Sequence, residues 1–177
     1  FYSHSGPAMF FRAVSELIKK KPNLSSFLEL HFQGSPIRPY LPLITELGLQ
    51  NIVYSHGYVP HKEAILRMQQ ASILWLNNEH KKHKNTITLS KTYEYMATRR
   101  PIIALIPDGD TKKILKNYSR SYIAPPDDIK KVISCISTAI HDVQMESIKP
   151  LDEKFLEAFT RKTITQSLAQ ELDALVN

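Results

Sequence analysis

Short apolar runs alternate with amphipathic stretches along most of the chain. Phe10, Phe11, Val14, Leu17 and Ile18 recur at helical spacing and predict a helix to about Lys20, with Pro7 in its first turn. Phe27 to Phe32 reads as a strand that leaves through Gln33-Gly34. Pro36 to Leu47 reads as a helix with an irregular start, since Pro39 and Pro42 remove backbone donors, and Gly48 stops it. Asn51 to Tyr54 predicts a strand, and His61 to Gln69 a helix with Ala64, Ile65 and Met68 inward. Ala71 to Leu76 predicts a strongly apolar strand around Trp75. The polar stretch Asn77 to Asn85 has no core-forming pattern and reads as an exposed loop. A helix from Ser90 to Ala97 and a strand from Pro101 to Ile106 follow. Asp110 is expected to cap a helix to about Asn117, Ser121 to Ala124 to form a strand, and Asp127 to start a helix carrying Ile129, Val132, Ile133, Ile136 and Ile140. Leu151 to Val176 is helical, with a break near Thr160 to Thr163.

This alternation predicts an α/β fold: a Rossmann-like, doubly wound parallel sheet with helices on both faces. Residues 1–145 form the domain, and residues 146–177 a carboxyl-terminal helical extension. The opening Phe1-Tyr2-Ser3 reads as the end of a strand entering a loop, as expected for a piece of a longer polypeptide. Ligands of such sheets gather outside the carboxyl ends of the strands. The loops there begin near Ser3, Gly34, His56, Asn77, Pro107 and Pro125, and the helix start at Ser90 is expected at the same edge.

Composition narrows the classes. With 177 residues, 42% hydrophobic and 23% charged, the chain is an ordinary globular domain and not a disordered one. The lone Cys135 lies in the apolar run Val132 to Ile136 and is read as core packing; its isolation fits a reducing compartment. No apolar stretch is long enough to span a bilayer. A cytoplasmic location is therefore expected, and the net charge of +6 permits peripheral contact with the inner face of a membrane. The basic residues form no stripe with interleaved aromatics, so nucleic acid is not an expected partner.

The glycines Gly6, Gly34, Gly48, Gly57 and Gly109 are isolated, so neither dinucleotide nor Walker phosphate loops are present. Glu79, His80 and His83 fall in the polar loop and read as solvated residues, not as a metal site. His4 and His56 lie in exit loops, where phosphate contact and a plain loop role both remain open. The richest stretch is Ser90-Lys91-Thr92-Tyr93-Glu94-Tyr95-Met96-Ala97. Ser90 can cap the helix. The first-turn N–H groups and the helix dipole seat a phosphate, and Lys91 adds a cation there. Glu94, three residues on, shares that face. Lysine for phosphate oxygens and carboxylate for ribose hydroxyls suits a nucleotide diphosphate; a surface Lys–Glu pair is the alternative. Thr86, Thr88 and Ser90 could offer further hydroxyls to a phosphate.

The Ser90–Ala97 segment with Arg100-Pro101-Ile102-Ile103 resembles the Lys-x-x-Glu-Tyr-Met-Ala…Pro-Ile segment of GT-B glycosyltransferases, in the large retaining family 4 (group 1). Phe10-Phe11-Arg12-Ala13-Val14, His31-Phe32-Gln33-Gly34, Leu47 to Val53 with Gly57-Tyr58-Val59-Pro60, and Ala71 to Leu76 resemble other parts of that family in the same order. The resemblance covers residues 1 to 140 and implies the donor-binding half of an enzyme that moves a sugar from a nucleotide diphosphate sugar to an acceptor hydroxyl. Cell-surface polysaccharide or glycolipid synthesis is the implied setting. By resemblance, Lys91 and Glu94 are the catalytic pair, Glu94 on the ribose and Lys91, Ser90 and Thr92 by the diphosphate. Gly57, Tyr58 and Val59 line the base pocket, largely through backbone groups, and Gly6 lies near phosphate. No cofactor or metal is implied. The implied partners are the donor, an amino-terminal acceptor domain absent from this chain, toward which the terminal helix crosses, and a lipid-linked or saccharide acceptor at the membrane surface.

The sequence departs from the pattern at Thr86, where members with a Glu-x7-Glu motif carry an acid facing the donor sugar. The family's first-loop Arg and following-strand Lys are not evident, and Arg38 is the nearest cation after Gly34. The rival reading is a non-catalytic α/β interaction module with Lys91 and Glu94 as a structural pair.

Overall fold

The computed structural model describes residues 6–34, 37–78 and 88–176. The expected roles of Phe1, Tyr2, Ser3, His4, Glu79, His80, His83 and Thr86 lie outside the described residues. The amphipathic run after Pro7 forms α1 (Gly6–Lys20). A 3-10 turn (Pro22–Ser26) then confines the first strand to β1 (Leu30–Phe32), shorter than its apolar run. The proline-rich start of the next helix is a 3-10 turn (Arg38–Tyr40) leading into α2 (Leu41–Glu46). Gly48, at φ +70°, takes the left-handed conformation that ends α2. There follow β2 (Val53–Ser55), α3 (His61–Gln70), β3 (Leu74–Asn77), α4 (Ser90–Ala97), β4 (Ile102–Leu105), α5 (Asp110–Lys116), β5 (Ser121–Ala124), α6 (Ile129–Gln144), α7 (Glu153–Glu157) and α8 (Arg161–Val176).

All described strand pairs are parallel. β1 pairs with β2, and β4 lies between β3 and β5. Strand β4 is buried throughout, and its side chains alternate between two cores. Ile103 and Leu105 join α1, α2 and α6 residues such as Phe11, Val14, Ile44, Val132 and Ile136. Ile102 and Ala104 join Leu76, Met96, Leu115 and Tyr118 on the other side. Helices therefore cover both faces, as expected from the sequence. Phe10 stacks on Trp75 at 4.2 Å, and Phe32 meets Trp75 edge-on at 6.1 Å, which ties β1 to β3 under α1.

Some local expectations change. No residue of α3 is buried, and Ile65 and Leu66 are exposed, so the helix does not turn Ile65 into either core. Gly109, not Asp110, is the residue before α5, and Asp128, not Asp127, caps α6 by accepting the Lys131 N–H at 3.1 Å. The terminal region breaks where expected: the Thr160 hydroxyl accepts the Thr163 N–H at 3.2 Å. Leu151, Phe155, Leu156 and Phe159 pack against the second core, whereas Ile164, Leu168, Leu172 and Leu175 of α8 are exposed. Among the described residues no helix is long and apolar enough to cross a membrane. Cys135 packs against the first core, and burial pushes its thiol up to about 12, far from a nucleophile's range.

Candidate functional site

Helix α4 starts at the carboxyl edge of the β3–β4–β5 sheet. Its preceding residue, Leu89, donates its N–H to Thr111 Oγ1 at 3.2 Å, and Thr111 sits in the first turn of α5, just beyond the end of β4. Ser90 is the first helical residue and not the cap; Leu89 holds the cap position, and no side chain caps the helix. This corrects the capping role expected of Ser90. Among the described residues the first-turn N–H groups have no side-chain acceptor, which favours an anion there.

Ser90, Lys91 and Glu94 are exposed on α4. Among the described residues Lys91 and Glu94 form no ion pair with each other. The Glu94 charge acts instead on its neighbour: burial first, then that carboxylate, pushes the Tyr95 hydroxyl up to about 12. Thr92, expected beside a diphosphate, lies on the buried face of α4. It is 0% exposed, its N–H bonds the Leu89 carbonyl at 2.9 Å, and its hydroxyl has no partner. It presents neither group to solvent, because the side chain of the third helical residue turns toward the sheet while Lys91 and Glu94 turn away.

The second cluster lies at the carboxyl ends of β1 and β2. Gly34 and Gly57 both have positive φ, +87° and +63°, and the Gly34 N–H donates to the Gly57 carbonyl at 2.7 Å. The two exit loops are thereby clamped together. Tyr58 is 93% exposed, while Val59 is half-buried. Gly6 is the first described residue of α1, and Arg38 is exposed on the turn after the Gly34 loop.

Sequence reasoning missed several groups. Gln33 Oε1 and Asn77 Oδ1, at the ends of β1 and β3, are buried acceptors without partners. Such groups are rare in native proteins and call for a donor from elsewhere. Lys112 is tied to Asp108 at 2.6 Å in the turn after β4. His31 and His56 are linked across β1 and β2, which no spacing along the chain reveals. Among the described residues no group of three or more His, Cys, Asp or Glu is arranged to hold a metal.

No protein-family profile and no curated protein sequence matches the chain. Solved structures do. HepE from Anabaena, in complex with UDP, superposes with a TM-score of 0.71 at 18% identity, over 96% of this chain and 45% of that one. The fold is one Rossmann-like half of the GT-B architecture. Sucrose-phosphate synthase from Thermosynechococcus elongatus gives 0.67 at 16% identity, over 97% of this chain and 42% of its own. A glycosyltransferase from Rickettsia africae gives 0.65 at 16% identity, over 99% and 45%. The chain thus spans less than half the length of the GT-B proteins it matches.

Proposed function

We propose that this chain is the donor-binding half of a family 4 glycosyltransferase that transfers a sugar from a nucleotide diphosphate sugar to an acceptor hydroxyl. The observation that carries the reading is the uncapped start of α4, with Lys91 and Glu94 exposed and not paired to each other, in a GT-B half-fold. The likeness to HepE, whose structure holds UDP, supports a uridine nucleotide as the first donor to test.

The leaving diphosphate takes its counter-charge from the first-turn N–H groups of α4 and from Lys91, with Ser90 beside them. Glu94 accepts the ribose hydroxyls. The Gly57–Val59 loop meets the base through backbone groups, and Gly6 lies at the phosphate end through the start of α1. These charges carry the departing phosphate without a metal or cofactor. Residues 1–145 form the donor domain and 146–177 the extension, whose exposed α8 stripe faces the acceptor-binding half. The acceptor is a saccharide or lipid-linked hydroxyl of cell-surface polysaccharide or glycolipid synthesis, reached in the cytoplasm at the inner face of the membrane. The chain alone binds donor and does not turn over.

Calorimetric titration with UDP, GDP and ADP tests this. One of them binds, and Glu94→Ala weakens it about 10- to 100-fold, the worth of hydrogen bonds to a charged group, without changing the far-UV spectrum. Failure of all three at about millimolar concentration, or an unchanged affinity in Glu94→Ala, refutes it.

A further inference from the structure

Three side chains join β1 to the exit of β2. Glu29 Oε2 lies 2.9 Å from His31 Nε2, and His31 Nδ1 lies 2.9 Å from His56 Nε2. The two imidazole planes differ by 9°, with centroids 5.2 Å apart. So short a nitrogen contact at so long a centroid separation puts the rings edge to edge in nearly one plane, the geometry of an in-line hydrogen bond. The Tyr54 ring lies over His31 at 5.0 Å and 15°. From α3, the charges acting on His56 are those of Arg67 and Glu63, themselves paired at 2.7 Å.

The chain of contacts ends where the loop clamp begins. The His56 backbone N–H donates to the Phe32 carbonyl at 2.9 Å, and the carbonyl of the next residue, Gly57, accepts from the Gly34 N–H at 2.7 Å. A hydrogen bond between two ring nitrogens needs one proton between them. With the His31 Nε2–H turned to Glu29, two proton counts satisfy it. Either His56 Nε2–H donates to a bare His31 Nδ1 with both rings neutral, or protonated His31 donates to a bare His56 Nε2. One further proton puts hydrogens on both facing nitrogens and sets two cations edge to edge, and the bond is lost.

We propose that the Glu29–His31–His56 chain positions the Gly57–Val59 loop, and lets it go when the second imidazole takes up a proton. Its effect on nucleotide affinity rests on the donor-site reading above; the movement of the loop does not. Burial first, then the charges of Arg67 and His31, hold His56 below the usual histidine range, against the opposing pull of Glu63. The positioned state is therefore complete at neutral pH and is lost as pH falls below the ordinary histidine value of about 6.5.

NMR of the 177-residue chain from about pH 8 to pH 5 tests this, following the ring protons of His31 and His56 and the amides of Gly34 and Gly57. The rings titrate in two separate steps, and both glycine amides move with the more acidic one. His56→Asn, a change at a half-exposed position outside both cores, abolishes the amide step. Rings that titrate in one independent step with both amides stationary overturn the proposal. UDP affinity is measured across the same range in both proteins, because the nucleotide's own phosphate titrates near pH 6 and the variant subtracts that effect. The wild type loses about fivefold more affinity than His56→Asn on crossing the acidic step. Equal losses overturn the link to binding and leave the donor reading intact. Failure of UDP, GDP and ADP alike to bind at any pH, with the amides still following the ring, removes the donor reading and upholds the positioning.

Discussion

Thr92→Val separates a buried structural hydroxyl from one that touches a ligand. Thr92 is fully buried in the first turn of α4, and its Oγ1 has no hydrogen-bond partner. A buried hydroxyl left unpartnered costs about 1–3 kcal/mol in lost hydration. Valine has nearly the same shape, leaves no cavity, keeps the β-branch and changes helix propensity little. The substitution therefore stabilises the fold by about 1 kcal/mol, the lower end of that range, which raises Tm by about 2–4 °C for a chain of this size. Urea unfolding followed by the fluorescence of Trp75, the only tryptophan, reads this as a higher midpoint at unchanged slope. UDP affinity stays within about twofold, because no ligand bond is removed. A lower midpoint refutes the orphan-hydroxyl argument, and a tenfold loss of UDP affinity shows that the hydroxyl meets the diphosphate after all.

Other perturbations probe the frame that holds the site. Phe11 is fully buried among Phe10, Phe32 and Tyr40, so Phe11→Ala costs about 3–5 kcal/mol in denaturant unfolding; a cost below about 1 kcal/mol contradicts its place at the centre of the first core. Two carboxyls set an acid limit. Hydrogen bonds from the Lys131 backbone and ammonium hold Asp128 below its usual range, and the bidentate contact with Arg99 does the same for Glu153. Since both folded-state values are depressed, the stability they contribute is complete above the ordinary carboxylate range and is lost as pH falls below it through the lowered folded-state values. The urea midpoint of the Asp128→Ala, Glu153→Gln double variant should thus lie below wild type at pH 7, with a gap that narrows as pH falls below about 4; a gap that stays constant counts against both contacts.

Much of the architecture was legible in the chain because burial leaves a period. The apolar run at 102–105 has to be a strand covered on both sides, and it is. The 3.6-residue spacing of Val132, Ile136 and Ile140 marks one face of α6 before any neighbour is known. Ser90 as a cap was not legible, since hydroxyl type marks a helix start only to within a residue, and the link from Leu89 to Thr111 decides where α4 begins. The burial of Thr92 was not legible for a related reason: a polar residue near a helix start looks solvent-facing until the helix is rotated onto its sheet.

By itself, then, the order of residues determined an α/β chain with a helix start carrying Lys91 and Glu94, because local periodicity and turn chemistry act over a few residues. Only tertiary structure decided that these two side chains leave each other unpaired, that Gly34 clamps Gly57, and that His31 meets His56. Those contacts join segments about two dozen or more residues apart or depend on how a helix is rolled, and strand register and packing set both.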